Sequence, residues 1–102
     1  MSRTVLVVGG GGREHALCLA FSSSASIDRI HATPGNAGTQ LYGTNHEVAA
    51  SDISGLVNLS KQLEVDFVVV GPEAPLCDGL ADRLLEAGVP CFGPQQVHAE
   101  LE

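Results

Sequence analysis

Val5-Leu6-Val7-Val8-Gly9-Gly10-Gly11-Gly12-Arg13-Glu14-His15 decides the fold of this chain. Its first four residues are apolar and three of them are β-branched, the pattern of a short strand buried on both faces. Four glycines follow without a break, and the residues from Arg13 to Phe21 can form a helix. Strand, glycine turn and helix together aim backbone N–H groups, and the positive end of a helix dipole, at an anion. A Cβ in that turn would obstruct the chain reversal and hold a ligand away from the backbone. The stretch therefore reads as a phosphate cradle at the head of a parallel sheet.

A dinucleotide fingerprint needs G-x-G-x-x-G and an acid about 20 residues further on. Gly9 and Gly11 fill its first two positions, but Glu14 stands at the third, where a carboxylate is expected to hinder close packing of helix on strand. The second strand, Arg29 to Thr33, ends without an acid, and Asp28 lies at its wrong end. A NAD or FAD site is disfavoured, and the dinucleotide-binding domain of an oxidoreductase stays as the rival reading.

At 102 residues the chain supports one domain with a core large enough to fold alone. It is 44% hydrophobic without low-complexity runs, which excludes a disordered chain. No apolar stretch approaches the ~18 residues of a membrane span, and residues 1–8 are too short for a signal peptide, so a soluble cytoplasmic protein is expected. Cys18, Cys77 and Cys91 are widely spaced and read as small buried hydrophobes in a reducing compartment. The net charge of −7, with five scattered basic residues, opposes nucleic-acid binding. An anionic small molecule remains compatible, because a helix N-terminus beside Arg13 is locally positive. His15, His31, His46 and His98 sit in unrelated segments without zinc spacing, and no metal site is expected.

In chain order, Ala16, Leu17, Leu19, Ala20 and Phe21 give the first helix its apolar side, and the serines from Ser22 to Ser26 end it. Thr33-Pro34-Gly35-Asn36-Ala37-Gly38-Thr39 is a turn-rich loop after the second strand, read either as a plain turn or as a second backbone nest. His46 to Ala50 forms a weak third strand. Ser51 or Asp52 caps a helix to about Leu63, with Leu56, Leu59 and Leu63 inward. Asp66 to Gly71 is a buried strand that delivers Gly71-Pro72-Glu73-Ala74-Pro75-Leu76, a rigid loop with one carboxylate. The next helix, about Cys77 to Ala87, turns Leu80, Ala81, Leu84 and Leu85 inward and stops at Gly88. Val89 to Phe92 is a fifth strand, placed at an edge by Pro90. The expected class is α/β: a Rossmann-like, open, mostly parallel five-stranded sheet with helices on both faces, in the order 3-2-1-4-5. The three loops then converge on one edge. A helix is expected from Gly93-Pro94 onward, with Val97 and Leu101 on one side.

Gly9 to His15, Pro34 to Thr39 and Val69 to Leu76 together resemble, in content and spacing, the amino-terminal domain of the glycinamide ribonucleotide synthetase (phosphoribosylamine–glycine ligase) family, and the resemblance covers essentially the whole chain. It implies a pre-ATP-grasp domain over residues 1–93, with residues 94–102 starting the helix that leads to an ATP-grasp region not contained in this chain. It also implies a ligase of de novo purine biosynthesis, joining glycine to 5-phosphoribosylamine with ATP and Mg2+, both bound outside this chain. On that resemblance Gly9, Gly11, Gly12 and Arg13 lie near the ribotide phosphate, and Asn36, Gly38 and Glu73 lie by the substrate. No catalytic residue is carried over, and the chain alone is expected to be inactive. Its partners would be 5-phosphoribosylamine or glycinamide ribonucleotide and the ATP-grasp region, with neither nucleic acid nor membrane.

Read from the residues alone, alternatives stay open. Arg13 either contacts the anion or pairs with a surface carboxylate. Glu14 and His15 either orient the loop, touch another domain or meet ligand. Glu73 either braces its loop or accepts from ribose hydroxyls, and Asn36 serves either the ligand or a left-handed turn. A non-catalytic binding or assembly module is a third reading of the whole chain.

Overall fold

The computed structural model describes residues 3–71 and 77–93. Strand β1 (Thr4–Gly9) lies at the centre of a five-stranded sheet, with β2 (Arg29–Pro34) and β3 (Thr44–Asn45) on one side. On the other side are β4 (Phe67–Val70) and β5 (Cys91–Phe92). The order β3-β2-β1-β4-β5 is the expected one, and every pairing is parallel. The chain leaves β1 in one direction for β2 and returns on its other side as β4. The carboxyl ends of β1 and β4 thus lie side by side at the point of reversal, the place where sheets of this kind hold ligands.

Alternation along β1 and β4 divides the core. Val5, Val7, Phe67 and Val69 pack with Ile30, Ala32, Cys18 and Phe21 beneath helix α1 (Gly12–Ser22). Leu6, Val8, Val68 and Val70 pack on the opposite face with Leu56, Val57, Leu59, Leu80 and Leu84. Those last five come from α3 (Ile53–Leu63) and α4 (Cys77–Glu86). Burial on both faces is why these strands are continuous apolar runs. Asp52 caps α3 by accepting from the Gly55 N–H at 3.0 Å.

Several expectations need correction. The third strand is Thr44–Asn45 and not His46 to Ala50. After the His46 N–H bonds the Ala32 carbonyl at 2.8 Å, the chain turns from the ladder to the Thr33 hydroxyl. That hydroxyl accepts from the Val48 N–H at 3.0 Å and bonds the Val48 carbonyl at 2.6 Å, so a side chain satisfies the segment. The inner side of α1 carries Glu14, Cys18 and Phe21, with Leu17 partly buried. Leu19 is 48% exposed, and Ala16 and Ala20 also face out, because the stripe begins at a polar residue that conceals its period. Leu85 is 69% exposed where Leu84, one position earlier, is fully buried. The loop from Thr33 to Thr39 holds the start of a short helix, α2 (Ala37–Gln40), capped by Asn36. Cys18 is a buried thiol pushed up to about 11, first by burial and then by the Glu14 charge, which keeps it protonated and inert. The expected helix after Pro94 lies outside the described residues.

Candidate functional site at the carboxyl end of the sheet

The glycine loop runs from the buried end of β1 into α1. Gly9 takes φ 135°, a conformation closed to other residues, and a Cβ there would collide with the Glu14 side chain. A Cβ on Gly71, at the end of β4, would overlap the same carboxylate. Glu14 therefore fills the space left by two missing side chains on adjacent strands and is 1% exposed. Its Oε2 accepts from the Gly11 N–H at 2.9 Å, the reciprocal half of a capping box. The expectation that Glu14 would hinder helix–strand packing is thus overturned: the two glycines make room, and the carboxylate braces the loop from beneath.

A second brace comes from the side. Asn36 Nδ2 donates to the Gly10 carbonyl and to the Gly11 carbonyl, each at 2.9 Å. Its Oδ1 accepts from the Thr39 N–H at 2.9 Å. Both N–H bonds of the amide are committed within the protein, so Asn36 has only a lone pair for an outside donor. This arrangement orients the next peptide. In a trans peptide the carbonyl and the N–H point opposite ways. With the Gly11 carbonyl drawn toward Asn36, the Gly12 N–H turns away from it.

Gly11, the N-cap residue of α1, has no side chain, and the first turn receives no side-chain cap. The opening amides of such a helix lack intrahelical acceptors and carry its positive partial charge. Gly12 is exposed, and a Cβ added there meets nothing within 4 Å. Arg13 is exposed beside it and forms no ion pair among the described residues. A loop fixed from two sides, with free backbone donors and an exposed arginine in the first helical turn, can receive a phosphate.

The site residues expected from the sequence come together unevenly. Gly9, Gly11, Gly12, Arg13 and Asn36 share one loop cluster, Gly9 as a structural hinge and Asn36 as a clasp. Gly38 lies against α1, where a Cβ would press into the His15 ring, and that ring stacks on Tyr42 with centroids 5.7 Å apart. Gly38 thus permits close approach of α1 and α2. Glu73 lies outside the described residues. Sequence reasoning missed Gly71, Thr39 and Asn45. A glycine closing an apolar strand is the only signal that could have pointed to the first. The described residues hold no group of three or more histidines, cysteines or acids placed to bind a metal ion. No described helix is long and apolar enough to cross a membrane.

Comparison with known proteins bears on the fold and the family. Among solved structures, a Rex-family repressor, RSP, aligns with 97% of the chain and 56% of its own, at TM-score 0.58 and 16% identity. The periplasmic heme-binding protein BhuT, in complex with two hemes, aligns with 91% of the chain and 34% of its own, at TM-score 0.53 and 20% identity. At such identities the likeness is one of fold alone. Sequence relatives are more specific. The phosphoribosylamine–glycine ligase of Allochromatium vinosum is 46% identical over 100 residues, which cover 96% of this chain and 23% of that protein. That of Streptomyces coelicolor is 48% identical over 98 residues, covering 96% and 24%. That of Caulobacter vibrioides is 48% identical over 99 residues, covering 97% and 23%. The chain spans about a quarter of the length of these relatives. Residues 3–102 match the family model described as phosphoribosylglycinamide synthetase, N domain, and on that match, with these identities, the chain belongs to the phosphoribosylglycinamide synthetase N-domain family.

Proposed function

We propose that this chain is the ribotide-binding domain of a phosphoribosylamine–glycine ligase, holding 5-phosphoribosylamine while glycine is joined to its amine. The observation that carries this reading is the uncapped start of α1: it opens over Gly12 beside the exposed Arg13, while Glu14 and Asn36 hold the preceding loop. The phosphate would take the Gly12 and Arg13 amides and the Arg13 guanidinium. Glu73, which follows β4, would accept from the ribose hydroxyls, a role a carboxylate can fill and a phosphate site cannot use. The ligase names of the relatives support this substrate class. The contribution to catalysis is positioning. A fixed ribotide turns an encounter between two solutes into a step within one complex.

ATP and Mg2+ belong, on this reading, to the ATP-grasp part of the longer enzyme, where ATP would activate the glycine carboxylate. The 102 residues alone would then turn over no ATP.

Calorimetric titration tests the proposal. Glycinamide ribonucleotide and ribose 5-phosphate should bind weakly, with affinity falling as salt rises, and Arg13→Ala should reduce both affinity and its salt dependence. NADH should give no saturable heat. Saturable NADH binding with no response to either ribotide would overturn the assignment in favour of a dinucleotide site.

A further inference from the structure

Resting on that reading, we infer that Asn45 is a positioning residue for the ribotide site: it holds the backbone of Asn36, whose side chain in turn sets the direction of the Gly12 N–H. Asn45 closes β3, and its side chain leaves the sheet edge toward the turn before α2. Its Nδ2 donates to the Asn36 carbonyl at 2.8 Å, and its Oδ1 accepts from the Thr39 hydroxyl at 2.7 Å. The fully buried Thr39 hydroxyl accepts from the Asn36 N–H at 2.8 Å. Its single proton is shared between Asn45 Oδ1 and the Asn36 carbonyl, which lies 2.9 Å away. Asn36 is therefore gripped at both its N–H and its carbonyl, while its amide holds the glycine loop.

The fit leaves little room for other residues. Gly35 takes φ 74°, and a Cβ on it would collide with the Asn45 amide and lie 2.8 Å from the Thr39 hydroxyl. Asn45 thus occupies the place a side chain at 35 would claim. Without the Asn45 amide the Asn36 carbonyl loses its shortest donor and keeps only the Gln40 N–H at 3.1 Å and the shared Thr39 proton. The two bonds from Asn36 to Gly10 and Gly11 depend on where that backbone sits. Donation to a peptide carbonyl also polarises the N–H of the same peptide group, so loosening Asn36 weakens the Gly12 N–H as a donor as well as misdirecting it.

The test uses the chain as it stands, with Asn45→Ala, Asn45→Asp and, as control, Gln40→Ala. The control removes only the Gln40 Oε1 contact to the Asn45 backbone N–H, at 3.2 Å. Amide spectra report the Gly10–Gly11 and Gly11–Gly12 peptides directly, without ligand. Asn45→Ala should shift the Gly11 and Gly12 amides and leave those of α3 and β4 in place. It should also weaken glycinamide ribonucleotide binding about tenfold, the loss expected for one hydrogen bond's worth of alignment. Asn45→Asp keeps an acceptor for Thr39 but sets an oxygen against the Asn36 carbonyl, and should do the same. It serves if the alanine variant does not fold. Gln40→Ala should bind within twofold of wild type. Unmoved Gly11 and Gly12 amides in a folded Asn45 variant would overturn the inference, as would unchanged affinity. If wild type itself binds no ribotide, the proposed function fails, while the amide shifts still decide whether Asn45 sets the loop.

Discussion

Gly12 and Gly71 separate two reasons for a glycine. Gly12 opens α1 with free space where a Cβ would go, so Gly12→Ala should leave the protein as stable as wild type or up to about 1 kcal/mol more stable. Its methyl group would stand in the path of the proposed phosphate, and on that proposal ribotide affinity should fall about tenfold or more, as for a lost charged hydrogen bond. Gly71→Ala should do the reverse, destabilising by roughly 1–3 kcal/mol because its methyl group collides with buried Glu14. Thermal melting and ribotide titration of both variants check this. A Gly12→Ala protein with unaltered affinity would remove the α1 amides from the site. Glu14 shows why single residues were the hardest to read. A carboxylate after a glycine loop gives no sign in sequence that Gly71, far along the chain, clears a pocket for it. Asn36, expected by the substrate or in a left-handed turn, has an extended backbone, and only the geometry shows its amide turned inward to Gly10 and Gly11.

At the sheet edge, His31 Nδ1 and His46 Nε2 are 3.0 Å apart and join β2 to the segment after β3. Burial, then the neighbouring His46 and Arg29, lower the pKa of His31 from its usual 6.5. Neither Asp28, three residues before His31, nor Glu47, exposed beside His46, is among the causes of the shift. The folded state therefore resists a proton that the unfolded chain accepts. Where the unfolded state binds more protons stability rises with pH, so acidification through 6.5 toward the lower folded value should destabilise the protein. Urea unfolding of wild type and His31→Gln between pH 7 and pH 5.5 tests this: the variant should lose less stability across the interval. Equal losses would show that His31 does not resist protonation. The edge was also where element boundaries were least legible. The two-residue β3 carries no periodic pattern, and the extended chain after it is satisfied by the Thr33 side chain and not by a neighbouring strand. Strands β1 and β4 were plain because burial on both faces leaves uninterrupted apolar runs.

The order of the five strands was legible because alternating strands and helices with right-handed crossovers admit few topologies. The same order explains why the glycine loop, the turn at Asn36 and the end of β4 meet, although they are far apart in sequence. The ligand class was not legible from that order, since the fold is shared with proteins as different as a repressor and a heme-binding protein. The proposed ribotide rests on the loop chemistry and on the family. The most direct measurement is therefore an amide-resolved titration of the chain with glycinamide ribonucleotide at low salt. Saturable shifts centred on Gly11, Gly12 and Arg13, reversed by added salt, are the expected result. Saturable shifts centred elsewhere, with these three amides unmoved, would contradict a ribotide phosphate at the start of α1.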